Sequence, residues 1–265
     1  MYWFAGGDRR AFWTVEYLRK NGVPVHCYNV PGMEEEALPE QIPVLMLPFP
    51  MPTRWGGEEK AVERISQHGI AIGGCFRGYR EVLEQRGVRV REVQKNEPLA
   101  TLNAVATVEG ALALMIQESD RTIWESKVLV IGGGRIGMLL GERLRALGSE
   151  VTVAVRSPVD RGRVRSRGLQ WEETGAYHRG LEDYDFVINT VPAPVLDEEQ
   201  LKRLKKECVL LELASAPGGF SRQSCEALGL KAIYGPGLPG RFSPRTAGEL
   251  YGECLLEVLK EEDVL

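Results

Sequence analysis

Histidine and paired cysteine are scarce in this sequence, and their scarcity limits the chemistry that it can support. The chain of 265 residues has three histidines, His26, His68 and His178, and none lies at a metal-ligand spacing from another histidine or a cysteine. The five cysteines are scattered, odd in number and without a Cys-x-x-Cys pair. We therefore predict no metal site, and we expect reduced, mostly buried thiols.

The sequence also lacks an excess of positive charge and a long apolar run. Its formal net charge of −4 provides no attraction to nucleic acid or to an anionic membrane. The N-terminal MYWFAGGDRR lacks the basic start and apolar core of a signal peptide. The longest near-apolar run, AVATVEGALALMI, contains Glu109 and is too short to span a bilayer. We expect a cytoplasmic protein that binds neither nucleic acid nor membrane.

Apolar strand-like runs alternate with amphipathic helical segments along both halves of the chain. This alternation predicts parallel, doubly wound sheets, and the length suffices for two domains. We predict two Rossmann-like α/β domains with a cleft between them. The substrate domain covers residues 1–101, a connecting helix covers 102–122, and the NAD(P)-binding domain covers 123–242. A last helix, over 243–262, follows the final strand and is free to pack back on the first domain.

Capping residues and periodicity set the expected bounds of several helices. Asp8 stands at the N-cap position of the first helix, and Ser243, followed by Pro244, stands at the start of the last. Helical spacing predicts a helix from about Glu58 to His68 and another from Asp197 to about Lys206.

The stretch VLVIGGGRIGMLLGERLRALG contains a G-x-G-x-x-G pattern between a strand and a helix. Its first glycine permits a tight turn, the second lets a pyrophosphate approach the backbone, and the third lets helix and strand pack closely. A glycine turn used only for packing is the alternative, but it would not require the flanking strand and helix. We predict a dinucleotide-binding loop formed by Gly132, Gly134, Arg135, Ile136 and Gly137.

Arg156 lies about twenty residues beyond these glycines, where NAD enzymes place an acid on the ribose hydroxyls. An arginine cannot accept those hydrogen bonds, but it can hold a 2′-phosphate, assisted by the Ser157 hydroxyl. We therefore expect NADP to be preferred over NAD.

Two further strand ends are expected to line the cofactor. Thr190, Val191 and Pro192 follow the strand DFVIN, and Ala214 and Ser215 follow the strand CVLLEL. In open α/β sheets, ligands bind beyond the carboxyl ends of the strands.

Several stretches resemble successive motifs of the A chains of dipicolinate synthase: ATVEGALALMIQ, TIWESKVLVIGGGRIG, DFVINTVPAPVL, LLELASAPGGF and GPGLPGRFSPRTAGELY. They cover most of residues 103–256, and AGGDRR and VLMLPFP are similar in a looser way. The resemblance implies NAD(P)-linked oxidation of a dihydrodipicolinate-type intermediate to dipicolinate (pyridine-2,6-dicarboxylate) in endospore formation. It also implies a flavoprotein-like B chain as partner, in the mother cell of a spore-forming bacterium.

The implied substrate is a small dicarboxylate, which arginine forks and backbone N–H groups would hold. The candidates in loops after strands are Asp8, Arg9, Arg77, Arg241 and Arg245. For each arginine, a surface or ion-pair role is an equal alternative.

Aromatising the substrate also requires a base, since a proton leaves the carbon next to the hydride donor. Asn103, Thr107 and Glu109 start the expected connecting helix, and Glu109 is the candidate base if its carboxylate is partly desolvated. The alternative is that these residues cap the helix and complement its dipole.

Two other functions remain open at this point. One is another hydroxy-acid or amino-acid dehydrogenase, for which a more evident histidine pair is expected. The other is a non-catalytic NADP-binding regulatory protein. The oligomeric state is open as well, a homo-oligomer included.

Overall fold

The computed structural model describes residues 1–50, 57–175 and 180–265. Its internal contacts divide the chain into two compact units. Unit 1 comprises Met1–Asn103 and Pro239–Leu265, and unit 2 comprises Ala104–Leu238. Unit 1 is thus assembled from both ends of the chain.

The sheet of unit 1 is entirely parallel, with the strand order β2-β1-β3-β4-β5. Its strands are β1 Tyr2–Ala5, β2 Val25–Tyr28, β3 Ile42–Met46, β4 Ile65–Gly73 and β5 Arg89–Glu92. Its helices are α1 Arg9–Lys20, α2 Glu59–Glu63, α3 Arg80–Gln85 and, from the C-terminal end of the chain, α10 Pro244–Glu261. The last helix, α10, packs on α1.

The sheet of unit 2 is also parallel, with the strand order β11-β10-β9-β6-β7-β8. Its strands are β6 Lys127–Ile131, β7 Glu150–Val155, β8 Gln170–Glu173, β9 Phe186–Asn189, β10 Val209–Glu212 and β11 Lys231–Tyr234. Its helices are α5 Arg135–Ala146, α6 Pro158–Ser166, α7 Glu198–Leu201 and α8 Arg222–Ala227. Two helices cross the boundaries of the units, α4 Glu97–Glu118 and α9 Leu238–Phe242. Parallel strands separated along the chain by helices confirm the predicted doubly wound α/β class.

The sheet of unit 1 has an apolar core on both faces because successive residues of a strand point to opposite sides. Phe4 packs in a cluster with Val15 of α1 and Leu255 of α10. Its neighbour Trp3 packs in a second cluster with Val62 and Leu83. Helices therefore cover both faces, as a parallel sheet requires.

Helix α4 differs from the prediction in its start and in its length. It begins at Glu97 rather than near residue 102, so Asn103, Thr107 and Glu109 do not lie in its first turn and do not cap it. By length and composition it could cross a membrane, contrary to the expectation that this run is too short, but half of its apolar window is buried inside the protein. That burial is typical of the core helix of a globular domain.

Two other predicted helices are shorter than expected. Helix α2 ends at Glu63, and His68 lies inside β4 with a φ of 64°. The helix ends early because Ile65 already pairs with β3 as the first residue of β4. A register shift follows this pair, and the residues within the shift point outward. Helix α7 ends at Leu201 instead of extending to Lys206. The elements β8, α8 and α9 were not predicted.

Candidate functional site

A cavity of about 540 Å³ lies in unit 2 at the carboxyl ends of β6, β7 and β9. Strand order reverses at β6, which has β7 on one side and β9 on the other. Open parallel sheets bind ligands at such a switch point, because the helices following the two halves of the sheet diverge there and leave a crevice. We call this space the cofactor cavity.

The glycine loop after β6 lines the cofactor cavity, and at two of its positions there is no room for a side chain. Gly132 has a φ of 111°, and a Cβ there would lie 2.3 Å from the Thr190 Oγ1. A Cβ on Gly137 would lie 2.0 Å from the Gly132 carbonyl oxygen. Any larger residue would therefore separate α5 from β6.

Gly134 has a different role, because in the described part of the chain only its own sequence neighbours lie within 4 Å of the position that its Cβ would take. It is the N-cap residue of α5, and no side chain of the described residues caps this helix end. The first N–H groups of a helix lack intrahelical partners and carry its positive dipole end. Here they adjoin the cofactor cavity, which is the arrangement that receives a pyrophosphate. The residues present thus fit the dinucleotide that the glycine pattern predicts.

At the end of β7, Arg156 lines the cofactor cavity and its side chain is exposed. Within the described ranges it has no ion pair or hydrogen bond. Ser157 also lines the cavity, but its hydroxyl caps α6 by accepting from the Asp160 N–H at 3.0 Å and donates to the Asp160 carboxylate at 2.7 Å. Asp160 itself lines the cavity beside Gly133. An acid that sequence reasoning did not consider therefore stands next to the predicted phosphate ligands.

Of the predicted cofactor contacts, those after β9 line the cofactor cavity and those after β10 do not. Thr190, Val191 and Pro192 line the cofactor cavity. Ala214 and Ser215 are not among the described residues that line it. The Ala214 N–H instead donates to a carboxylate oxygen of Glu212 at 2.9 Å.

Sequence reasoning missed two buried polar residues at the ends of β9 and β10, Asn189 and Glu212. They lie opposite each other in the sheet register, and the Asn189 Nδ2 donates to the Glu212 Oε1 at 2.7 Å. The available signal was that two apolar strands, FVIN and VLLE, each end in a polar residue. Burial raises the pKa of Glu212, although the N–H donors around it act in the opposite direction.

Residues 107–234 match the family model described as D-isomer specific 2-hydroxyacid dehydrogenase, NAD binding domain. The chain is also 34% identical to the dipicolinate synthase A chain of Bacillus subtilis (strain 168) over 201 residues, which make up 76% of this chain and 68% of the relative. This chain belongs to the dipicolinate synthase A chain family.

Solved structures of dipicolinate synthase A chains agree with the assignment to this family. The A chain from Bacillus subtilis superimposes with a TM-score of 0.84 and 28% identity, covering 98% of this chain and 95% of that one. The A chain from Bacillus halodurans superimposes with a TM-score of 0.85 and 26% identity, covering 97% and 96%. Together with the domain match, these similarities identify the chain as an oxidoreductase that binds a nicotinamide dinucleotide.

In this dipicolinate synthase A chain homologue, the predicted catalytic residues are spread around α4. Thr107 and Glu109 are two residues apart, which places their side chains about 200° apart around the helix axis. The Glu109 carboxylate is 51% exposed and lies 3.5 Å from an Arg143 nitrogen, as in an ordinary surface ion pair. Its role as a base was predicted on the condition of partial desolvation, and that role stays a prediction.

Among the predicted substrate residues of unit 1, Asp8 already has partners. Its carboxylate caps α1 by accepting from the Arg10 N–H at 2.9 Å, which confirms the predicted cap, and it forms a 2.6 Å ion pair with the Arg10 guanidinium. Gly240 of α9 lies against this pair, since a Cβ there would be 2.9 Å from the Asp8 Oδ2. Arg9 is exposed and has no ion pair within the described part of the chain.

The other candidate arginines also differ from one another. Arg241 is exposed, lies over the Phe242 ring at 5.3 Å, and has no acidic partner among the described residues. Arg245 pairs with Glu249 at 2.9 Å and is therefore less available. Arg77 begins a short 3₁₀ turn, and the structure describes its backbone but not its side chain.

The five cysteines are unpaired in the structure, and all but Cys75 are buried, which confirms the expectation of mostly buried cysteines. Burial raises the pKa of Cys208 to about 12, so this thiol is a poor nucleophile. Among the described residues, no group of three His, Cys, Asp or Glu side chains is placed to hold a metal ion. His178 lies outside the described residues.

Proposed function

We propose that this chain catalyses the NAD(P)-linked oxidation of a dihydrodipicolinate-type intermediate to dipicolinate. The observation that carries the proposal is the uncapped start of α5 at Gly134, which adjoins the cofactor cavity in a chain of the dipicolinate synthase A chain family. The reaction removes a hydride from one ring carbon and a proton from its neighbour. The bound dinucleotide supplies the hydride acceptor, so the chain's own residues have to bind the ring, orient it and take up the proton.

NADP is the proposed cofactor in preference to NAD. The support is Arg156, an exposed guanidinium on the cavity wall that is without an ionic partner in the described ranges. Such a group suits the 2′-phosphate through charge-assisted, bidentate hydrogen bonds. Asp160 opposes this preference, because its carboxylate repels a phosphate and accepts a hydrogen bond from a ribose hydroxyl. Arg156 extends beyond the strand end, whereas the Asp160 carboxylate is held by Ser157 and Arg163, and this difference favours the arginine.

The two substrate carboxylates are proposed to bind Arg9 and Arg241. Support comes from the contact of Gly240 with the Asp8–Arg10 pair, which brings the residue after Gly240 and the residue between Asp8 and Arg10 to the same end of unit 1. The Asp8–Arg10 ion pair would then hold the loop rather than bind the substrate. Arg77 and Arg245 are secondary candidates.

Glu109 is kept as the proposed proton acceptor, and Asn103 and Thr107 are kept as catalytic candidates on a different face of the same helix. A positioned general base contributes about 10²- to 10⁴-fold in rate. Glu109→Gln is therefore expected to slow turnover at least about 100-fold while cofactor affinity stays within about twofold. Unchanged turnover would remove Glu109 from the mechanism.

The designation of the relatives as A chains supports a second, different chain as partner. We place the reaction in the mother cell of a spore-forming bacterium, with a flavoprotein-like B chain as the proposed partner. A homo-oligomer of this chain is compatible with the proposal.

The decisive experiment mixes the purified chain, with and without a B chain, with freshly made product of dihydrodipicolinate synthase and either NADP or NAD. Reduced cofactor at 340 nm and dipicolinate by chromatography should appear together in equal amounts. An Arg9→Gln, Arg241→Gln double variant should raise the KM for the substrate by at least about tenfold. Arg89→Gln is the matched control, because Arg89 lies at the amino end of the edge strand β5, whereas Arg9 follows the carboxyl end of β1, and Arg89 pairs with Glu262.

The outcomes separate the proposed functions. Cofactor binding without turnover, even with the B chain present, would contradict the enzymatic proposal and favour a regulatory NADP-binding protein. Turnover of a 2-hydroxy acid or an amino acid in place of the dihydrodipicolinate product would indicate another dehydrogenase.

A further inference from the structure

The segment 190–195 forms one wall of the cofactor cavity and has no helix or strand of its own. At its start, the Asn189 side chain closes on Val191, with Oδ1 accepting from the Val191 N–H at 3.0 Å and Nδ2 donating to the Val191 carbonyl at 2.8 Å. At its end, the Val195 N–H donates to the Gly219 carbonyl at 2.8 Å. Asn189 and Gly219 are therefore the two anchors of this wall.

Glu212 connects the two anchors through its two carboxylate oxygens. Its Oε1 accepts from the Asn189 Nδ2 at 2.7 Å, and its Oε2 accepts from the Gly219 N–H at 2.6 Å. The Ala214 N–H adds a third donor, to Oε1, at 2.9 Å. Glu212 is 5% exposed and Asn189 is fully buried, so water does not compete for these bonds.

Glycine at position 219 is what permits this arrangement. A Cβ there would lie 2.3 Å from the Asn189 Nδ2 and 2.8 Å from the Val195 Cγ2. Gly219 therefore contacts the Glu212 carboxylate through its N–H and the wall through its carbonyl, and it has no side chain that would separate the carboxylate from the wall.

Glu212 has no cationic partner among the described residues, and only N–H donors satisfy its oxygens. Burying a carboxylate is unfavourable unless it is fully hydrogen-bonded, and an apolar residue would fill a strand position at lower cost. The carboxylate is therefore better explained by the geometry that it imposes on two loops than by a contribution to core stability.

The wall 190–195 lies on the side of the cofactor cavity away from Arg156. It follows β9, which is on the opposite side of β6 from β7. Arg156, the residue suited to the adenosine ribose, follows β7. A dinucleotide that crosses the switch point would thus have its adenosine half near β7 and its nicotinamide half near β9.

We propose that Glu212 is a positioning residue that holds the wall 190–195 in the conformation that binds the nicotinamide half of the dinucleotide. It acts through Asn189 and Gly219 and does not line the cofactor cavity itself. The inference rests on dinucleotide binding by unit 2 and is independent of the proposed substrate and reaction.

Glu212→Gln tests the proposal, because glutamine keeps the size of the side chain and replaces one acceptor by a donor that faces another donor. Titration of the full chain with NADPH and NADH should give dissociation constants about tenfold higher than for the unsubstituted chain. Adenosine 2′,5′-bisphosphate and ADP, which lack the nicotinamide half, should bind with dissociation constants changed less than about twofold. Glu207→Gln is the control, since Glu207 is exposed and precedes the opposite end of β10.

Equal weakening of the dinucleotides and of the adenosine fragments would show a general loss of structure and overturn the proposal, as would unchanged dinucleotide binding. If the variant does not fold, hydrogen exchange on the unsubstituted chain decides. The Val191 and Val195 amides should then exchange as slowly as the Ile188 amide inside β9. Rapid exchange of the two wall amides would contradict the anchoring.

Discussion

The two units contain the same local construction at their switch points, a strand followed by glycines and a helix, yet only one is suited to a phosphate. In unit 2 the turn ends at Gly134, which leaves the start of α5 without a side-chain cap and with open space in front of it. In unit 1 the turn ends at Asp8, whose carboxylate caps α1, and a Cβ on Gly6 would meet the Glu58 side chain at 2.1 Å. An anion site therefore requires a helix end that the protein itself leaves unsatisfied.

The largest expected effect comes from Gly137→Ala, which tests the contact between α5 and the turn. The added methyl group would lie 2.0 Å from the Gly132 carbonyl oxygen and force the helix away from β6. We expect the free energy of unfolding to fall by about 3 kcal/mol and dinucleotide affinity to fall at least about 100-fold. Urea unfolding and fluorescence titration would measure these changes.

The control for this substitution is Gly162→Ala inside α6, where the added methyl group would meet no described residue within 4 Å apart from its own stretch of helix. It should stabilise the chain by up to about 1 kcal/mol and leave binding unchanged. If Gly137→Ala behaved in the same way, close helix-strand packing would not be the requirement for binding.

Gly134→Asp converts the turn of unit 2 into the capped form found in unit 1. The new carboxylate should cap α5 and stabilise it by about 1 kcal/mol, while repelling the pyrophosphate and lowering dinucleotide affinity about 100-fold. Calorimetric titration and thermal unfolding of the same sample would measure the two opposite changes. The reciprocal Asp8→Gly should create no pyrophosphate affinity in unit 1, because Glu58 still lies against Gly6. Binding of pyrophosphate by that variant would show that the Asp8 cap alone, without Glu58, excludes the anion from unit 1, whereas unchanged dinucleotide affinity of Gly134→Asp would refute the explanation from capping.

A smaller effect is expected near the end of β7, where Arg156 and Asp160 both line the cofactor cavity. Arg156→Asp should weaken NADP binding on the order of 10- to 100-fold and NAD binding much less, because the guanidinium is proposed to contact only the 2′-phosphate. Asp160→Asn should raise the preference for NADP a few-fold by removing a negative charge while keeping an acceptor for Ser157. Dissociation constants of both cofactors for both variants would be compared. Equal binding of NAD and NADP before and after Arg156→Asp would identify Arg156 as an ordinary surface arginine.

The smallest effect concerns the charge of the cap in unit 1. Burial raises the pKa of Asp8. Hydrogen bonds from the Arg10 side chain and backbone, together with the Arg10 charge, lower this pKa by more than burial raises it, so the pKa lies below its ordinary value. The ionised carboxylate therefore stabilises the folded chain above the unfolded pKa of about 3.9, and this stabilisation is lost as the pH falls through the folded value.

Asp8→Asn keeps a capping oxygen and removes the charge. Because the Asp8 side chain is half exposed, we expect a loss of only about 0.5 kcal/mol at pH 7. Urea unfolding at several pH values should show this difference disappearing below about pH 4. A difference that persisted there would contradict a contribution from the ionised form.

The sequence allowed the glycine loop, the Asp8 cap and the parallel sheets to be predicted because these depend on neighbouring residues or on a repeated pattern. The start of α4 was missed although a local signal exists. Asn96 accepts from the Leu99 N–H at 2.8 Å, as an N-cap residue does, and Pro98 is tolerated in a first helical turn. The apolar helical spacing is regular only after residue 101, so periodicity alone predicts a start that is too late.

The bridge between Asn189 and Glu212 could not be predicted in the same way. The two residues are 23 positions apart, and they meet only because β9 and β10 are neighbours in register. Likewise, the contact of Gly240 with the Asp8–Arg10 pair joins the two ends of the chain, and no periodicity within either segment indicates it. Contacts of this kind are produced by the topology.

The packing of α10 on α1 has a consequence for the order in which the chain folds during its synthesis. Gly248 lies against the Arg10 carbonyl, the Thr14 hydroxyl donates to the Gly248 carbonyl at 3.0 Å, and the Tyr251 hydroxyl donates to the Leu47 carbonyl at 2.6 Å. Unit 1 therefore cannot complete its core until its last segment has left the ribosome. Unit 2, which is contiguous from Ala104 to Leu238, can fold before that point. A chain that lacks a docked α10 thus contains a contiguous dinucleotide-binding unit beside a first unit that still exposes the apolar surface on which α10 packs.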